Sequence, residues 1–268
     1  MKSMMKRNTF REIKKSFGRY FAILAIVALG VAFFSGLKIT QSVMVHSADV
    51  YLKDLQFYDY RLVSTLGFTE ENVEALAEKE DVRAAEGAIS AEVLYKDAGE
   101  NERVIKMHSI TEKVNKLKLV AGEMPQSADE CVVDSALFSE DAIGSKLVLS
   151  ENNTTDDLDK FAYKEYTITG LVQSPCYIQF ERGNTSIGNG RISGFAYILK
   201  DGFAVDYDTE IYIKFDEDYD IYSDEYDSYM DAKEADWEAY TKEQADIRYE
   251  KIVKDAQDEL DEKKEELE

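Results

Sequence analysis

The chain has 268 residues, enough for one or two domains with their own hydrophobic cores. Its net charge of −22 is unevenly spread: residues 1–38 hold eight Lys and Arg against a single acid, Glu12, whereas the remainder holds 24 against 53. An acidic body repels phosphate backbones, which excludes nucleic acid as its partner, and two cysteines exclude a dense disulfide framework. The sequence leaves open whether Cys131 and Cys176 are bridged; two half-buried free thiols are the simpler expectation.

In chain order, the first feature is a basic segment, residues 1–19, carrying Lys2, Lys6, Arg7, Arg11, Lys14, Lys15 and Arg19. Within it, Phe10, Ile13 and Phe17 recur at spacings of three and four, the pattern of a short amphipathic helix on a membrane surface. Residues 20–37 (YFAILAIVALGVAFFSGL) follow without a charge. As a helix they span roughly 27 Å, close to the hydrocarbon thickness of a bilayer. Ten strongly apolar side chains contribute roughly −3 to −6 kcal/mol towards insertion. A transmembrane helix is therefore expected, with the basic end cytoplasmic and the chain after Lys38 outside. His46-Ser47-Ala48 is a poor cleavage site, so the segment reads as an anchor rather than a signal peptide. Ala25, Ala28, Ala32 and Gly36 place small side chains on one face, as a helix packed against others in a membrane requires.

The helical pattern can continue from Ile39 to about Gln56, before residues 58–64 alternate as a strand. Thr69 caps a short helix whose Val73, Leu76 and Ala77 face the core. Residues 82–95 and 103–109 read as strands, then 130–133, 146–150, 163–172, 194–199 and 210–215, separated by turn-rich stretches. Strands dominate, so an α+β body with a mixed or antiparallel sheet is expected over residues 38–225. From residue 226 to 268 there is no Gly or Pro, and Met230, Trp237, Tyr240 and Ile247 follow an imperfect heptad that Val253, Ala256, Leu260 and Leu267 resume. This predicts a long helix, the start of a coiled-coil arm that looks cut off in mid-pattern and whose partner strand lies elsewhere.

Motifs that would carry chemistry fail at decisive positions. Gly183-Asn-Thr-Ser-Ile-Gly188 has phosphate-loop spacing, but Asn189 stands where lysine is required. Asp216, Asp218 and Asp220 open like a calcium loop, but Ile221 replaces the glycine of the turn and Asp227 the final glutamate. His46 and His108 fit no zinc spacing, and His108 reads as an ordinary strand residue. No catalytic, cofactor or metal residues are expected, and the chain is not read as an enzyme.

The segment Arg11-Glu-Ile-Lys-Lys-Ser-Phe-Gly-Arg19 with the apolar run after it looks like the first span of FtsX-like ABC transporter permeases. The body resembles the MacB-type extracytoplasmic core domain through Ala121-Gly-Glu-Met-Pro125, Glu130-Cys-Val-Val-Asp134, Ile143-Gly-Ser-Lys-Leu147 and Tyr166-Thr-Ile-Thr-Gly-Leu-Val172. Ser174-Pro-Cys-Tyr-Ile178, Arg182-Gly-Asn-Thr-Ser-Ile-Gly-Asn-Gly190 and Tyr207-Asp-Thr-Glu-Ile-Tyr-Ile213 resemble a branch with long coiled-coil insertions. The resemblance implies an N-terminal portion of a permease in the cell membrane. Its partners would be further permease helices, a separate cytoplasmic ATPase subunit that holds the ATP, and an extracytoplasmic protein. Cargo would be lipids, peptides or lipoproteins, or absent in favour of mechanical signalling to a cell-wall hydrolase. The rival reading is a membrane-tethered adhesion or scaffold protein.

Overall fold

The structure, a computed structural model, describes Met4 and residues 11–97 and 99–265. Of the expected amphipathic segment, residues 8–10 lie outside the described residues and residues 11–15 are helical. The chain divides into two compact units, Met1–Val50 and Tyr51–Glu268. The first is essentially one helix, α1 (Phe17–Asp54), which contains no proline, runs past the unit boundary and is long and apolar enough to cross a membrane. The apolar run and its continuation are thus one element, with no break at Lys38.

The second unit is α+β, and its described residues form ten strands in two sheets. Seven of them are β3 (Ser90–Lys96), β4 (Glu102–Ser109), β5 (Lys118–Gly122), β6 (Glu130–Asp134), β7 (Lys146–Leu149), β8 (Glu165–Gln173) and β9 (Ile192–Ile198). They run in the order β5-β8-β6-β9-β4-β3-β7. Because β7 also pairs with the start of β8, six strands close into a ring and β5 rides on the far half of β8. β4–β9 and β6–β8 are parallel, and every other pair is antiparallel.

Period-two alternation fills the ring. Val93 and Tyr95, Ile105 and Met107, Cys131 and Val133, Leu147 and Leu149, Tyr166 and Ile168, and Ala196 and Ile198 form one buried core. On the outer side, Val132, Val172, Phe195 and Tyr197 form a second cluster, so β6 and β9 are buried on both faces. Gly122 and Gly170 are register partners where β5 meets β8. Gly122 has φ +78°, and a Cβ there would lie 2.2 Å from the Thr169 carbonyl oxygen, so no other residue fits that approach.

The smaller sheet is antiparallel and places β10 (Asp208–Phe215) between β1 (Tyr60–Phe68) and β2 (Val82–Ala88). The single strand expected over residues 82–95 is two strands, because the chain leaves one sheet and enters the other at Ile89. Side chains hold that crossing: Ser109 Oγ accepts from the Ile89 amide and Thr209 Oγ1 from the Ser90 amide. Helix α2 (Glu70–Ala77) covers one face of this sheet. Its first turn is closed by Asn72 Oδ1, which accepts from the Thr69 amide at 3.0 Å.

On that same face sits the root of a long helix, here called α4 (Asp224–Glu265), the short helix α3 (Thr155–Leu158) lying earlier in the chain. Trp237, 5% exposed, lies in the cluster formed by Leu76, Val82, Ala85, Ile211, Ile213 and Phe215. Replacing Trp237 by Ala should therefore destabilise the smaller sheet by about 3–5 kcal/mol. Urea unfolding followed by circular dichroism checks this; a loss no larger than that of an exposed position such as Tyr249→Ala would show that the helix root does not hold the sheet.

Candidate functional site

Three features of the second unit are built for more than filling space: the root of α4, a polar cleft beside the smaller sheet, and a groove along β1. At the root, Asp59 receives three donors: Lys214 Nζ at 3.1 Å, Tyr226 Oη at 3.1 Å and the Phe215 amide at 2.9 Å. Both charged members of that pair are nearly buried, which demands this saturation of the carboxylate. Lys233 binds Asp81 at 2.5 Å and lies over the rings of Phe215 and Tyr229. Lys79 sits 3.6 Å from the centre of the Tyr240 ring.

The root also settles what three of the expected seam residues touch. Met230, Trp237 and Tyr240 pack on the smaller sheet, beside α2 and on the same face of β10. Ile247 is 53% exposed, and Tyr249 and Val253 are exposed beside it. The side chains of Ala256, Leu260 and Leu267 lie outside the described residues. In the apolar helix, Ala28, Ala32 and Gly36 are exposed and Ala25 is partly so; a Cβ on Gly36 would meet nothing within 4 Å.

The cleft, of about 250 Å³, is lined by Arg61 and Tyr212 of the smaller sheet, Lys106 and His108 of the ring, and Tyr177 of the turn after β8, among others. Its charges are matched. Arg61 binds Glu210 at 2.8 Å, and Arg182 forks onto Asp134 at 2.6 and 3.0 Å. Burial pushes the Glu210 carboxyl up, but hydrogen bonds from Ser90 and Tyr212 and the Arg61 charge outweigh it and hold the carboxyl below the usual range.

His108 is buried at the floor, stacked on Tyr197 at 5.0 Å, with Nε2 2.6 Å from Tyr177 Oη. Sequence reasoning placed it in a strand and missed these partners, because Tyr177 lies 69 residues away and no local spacing signals it. Both cysteines are free; burial raises the Cys131 thiol and pushes that of Cys176 up to about 11, leaving both protonated near neutrality.

The residues of the failed motifs are engaged elsewhere. Arg83 forks onto Asp218, Asp220 meets Lys53 at 2.6 Å, and Thr185 of the glycine-rich loop donates to Glu92 at 2.6 Å. The groove, also about 250 Å³, runs between β1 and a stripe of α4 that includes Tyr240, Gln244 and Arg248.

The chain is similar to two solved extracytoplasmic domains. One is the extracellular domain of the ABC-type transporter YknZ from Gram-positive bacteria, at 11% identity and TM-score 0.37, covering 57% of this chain and 76% of that one. The other is the periplasmic region of MacB from Actinobacillus actinomycetemcomitans, at 14% identity and TM-score 0.37, covering 59% and 68%. No family profile matches the chain. No curated protein matches it in sequence either.

His108 supplies a pH dependence. Burial, reinforced by the Lys106 and Arg61 charges and opposed by Glu210, depresses its pKa from 6.5 to about 3. Between those values the unfolded chain binds a proton that the folded chain does not, so stability is full above 6.5 and falls as the pH drops towards 3. Relative to His108→Phe, the native protein should lose about 1.4 kcal/mol more per pH unit in that window. Parallel stability–pH curves from urea unfolding would show that the imidazole does not titrate this way.

Proposed function

We propose that this chain is the N-terminal part of a permease subunit of an FtsX/MacB-like ABC transporter. The observation that carries the reading is an ordered series of motifs, from Ala121-Gly-Glu-Met-Pro125 to Tyr207-Asp-Thr-Glu-Ile-Tyr-Ile213, following a basic-flanked apolar helix. In this reading the basic residues keep the N-terminus cytoplasmic and the second unit lies outside. ATP is bound and hydrolysed by a separate cytoplasmic subunit. The small-residue face of Ala25, Ala28, Ala32 and Gly36 packs on other membrane helices of the permease.

The uninterrupted helix α1 supports a mechanical role for the anchor, since a helix with no proline or bulge resists bending more than a loop does. The rooted base of α4 supports the same role for the arm. Residues from Asp59 to Tyr240 fix its first turns to β10, so a shift of the smaller sheet moves the arm with it. Work done on the membrane side would thereby reach an extracytoplasmic partner, whether for export, for lipid or lipoprotein handling, or for signalling.

The test uses the gene product that carries this chain, co-expressed with a candidate ABC ATPase subunit from the same genome. The ATPase should co-purify with the permease. In a background lacking Cys131 and Cys176, an impermeant thiol reagent on intact cells should label Ser42→Cys and spare Ser3→Cys. Failure to retain the ATPase, with the labelling as expected, would favour a tethered scaffold protein; reversed labelling would sink the topology.

A further inference from the structure

The groove along β1 has three properties that the permease reading leaves unused. First, it is lined by residues from both faces of the strand, Tyr60 and Leu62 on the core side and Arg61 and Val63 on the other. A groove touching both faces follows the strand's open edge, and β1 is indeed terminal in its sheet. Its other edge pairs with β10 at Tyr60 to Val63 and again at Phe68. Second, the floor is apolar, with Leu62, Phe68 and Leu76, while Val63 and Leu66 stand 63% and 44% exposed beside it. Third, the Arg248 Nε–H is buried with no hydrogen-bond acceptor among the described residues, and no carboxylate lines the groove.

Each property selects part of an occupant. An open strand edge presents amide N–H and carbonyl groups that only another extended backbone satisfies in register. The floor takes side chains from alternate positions of such a strand. A guanidinium with a free N–H takes a carboxylate, and none lines the groove. A helix would leave the strand edge unpaired, and an acyl anion would use the floor and Arg248 alone. We propose that the groove binds a short extended peptide segment of a partner protein. It would add as a fourth strand beside Tyr60–Val63 and set a carboxylate on Arg248. The irregularity between Val63 and Phe68 limits regular pairing to about four residues, which makes the contact weak and exchangeable.

The test measures fluorescence anisotropy of a labelled hexapeptide amide, acetyl-Thr-Val-Thr-Val-Thr-Asp-NH2, against the full chain in detergent micelles. Saturable binding is expected. It should weaken at least about tenfold when the peptide backbone is N-methylated at alternate residues, and likewise when its Asp is replaced by Asn. On the Arg248→Gln variant the Asp and Asn peptides should bind alike, with the Trp237 emission unchanged to show an intact fold. Equal binding of the N-methylated peptide would overturn strand addition. So would dodecanoate binding where the hexapeptide does not, which would mark the groove as a site for amphiphiles, and so would no saturable binding of the hexapeptide.

Discussion

The pairing of β7 with β8 is the interaction on which the rest of the second unit depends. β8 offers one edge to β6 along its length and divides the other between β7 and β5. That division closes six strands into a ring and gives the alternate side chains of every strand a common interior. Without closure, Tyr95, Met107 and Tyr166 would lose the opposite wall of their core, and β7 would be an open edge. The turn that brings β7 to β8 is fixed at Gly144, whose amide donates to the Ile168 carbonyl at 2.8 Å from a φ of +87°.

The chain passes between the ring and the smaller sheet twice, and side chains reinforce the join: Glu86 of β2 accepts from the amides of Glu112, Lys113 and Val114. β2 continues into β3 through Ile89, and β9 is followed by a turn that leads into β10. Between those crossings lies the polar cleft, whose charges are paired and whose imidazole is buried. Such a joint resists water and rearrangement together, because separating it would strand Glu210 and His108 without partners. At the far end of β10, Asp59 and Trp237 tie the strand to the root of α4.

The motifs that carry the family resemblance are structural. Glu130-Cys-Val-Val-Asp134 is β6, buried on both faces, and ends on the carboxylate that anchors Arg182. Ala121-Gly-Glu-Met-Pro125 and Tyr166-Thr-Ile-Thr-Gly-Leu-Val172 meet at Gly122 and Gly170, where two backbones approach too closely for a side chain. Ser174 begins a turn in which its Oγ accepts from the Cys176 amide and lies 2.8 Å from Tyr197 Oη.

The sequence by itself determined what local pattern controls. The uncharged run of residues 20–37, the helix after Thr69, most of the alternating strands and the Gly- and Pro-free arm were legible, since each depends on neighbours within a few positions; β5, short and largely exposed, was not. Tertiary structure alone decided the rest. It split residues 82–95 between two sheets, a choice set by Ser109 and Thr209 reaching across the fold. It gave Met230, Trp237 and Tyr240 a sheet to pack on, although their heptad spacing suits a second helix equally well, because periodicity defines a face but not what covers it. The groove and the unsatisfied Arg248 were invisible for the same reason: β1 and α4 are about 180 residues apart in the chain, and only folding makes them neighbours.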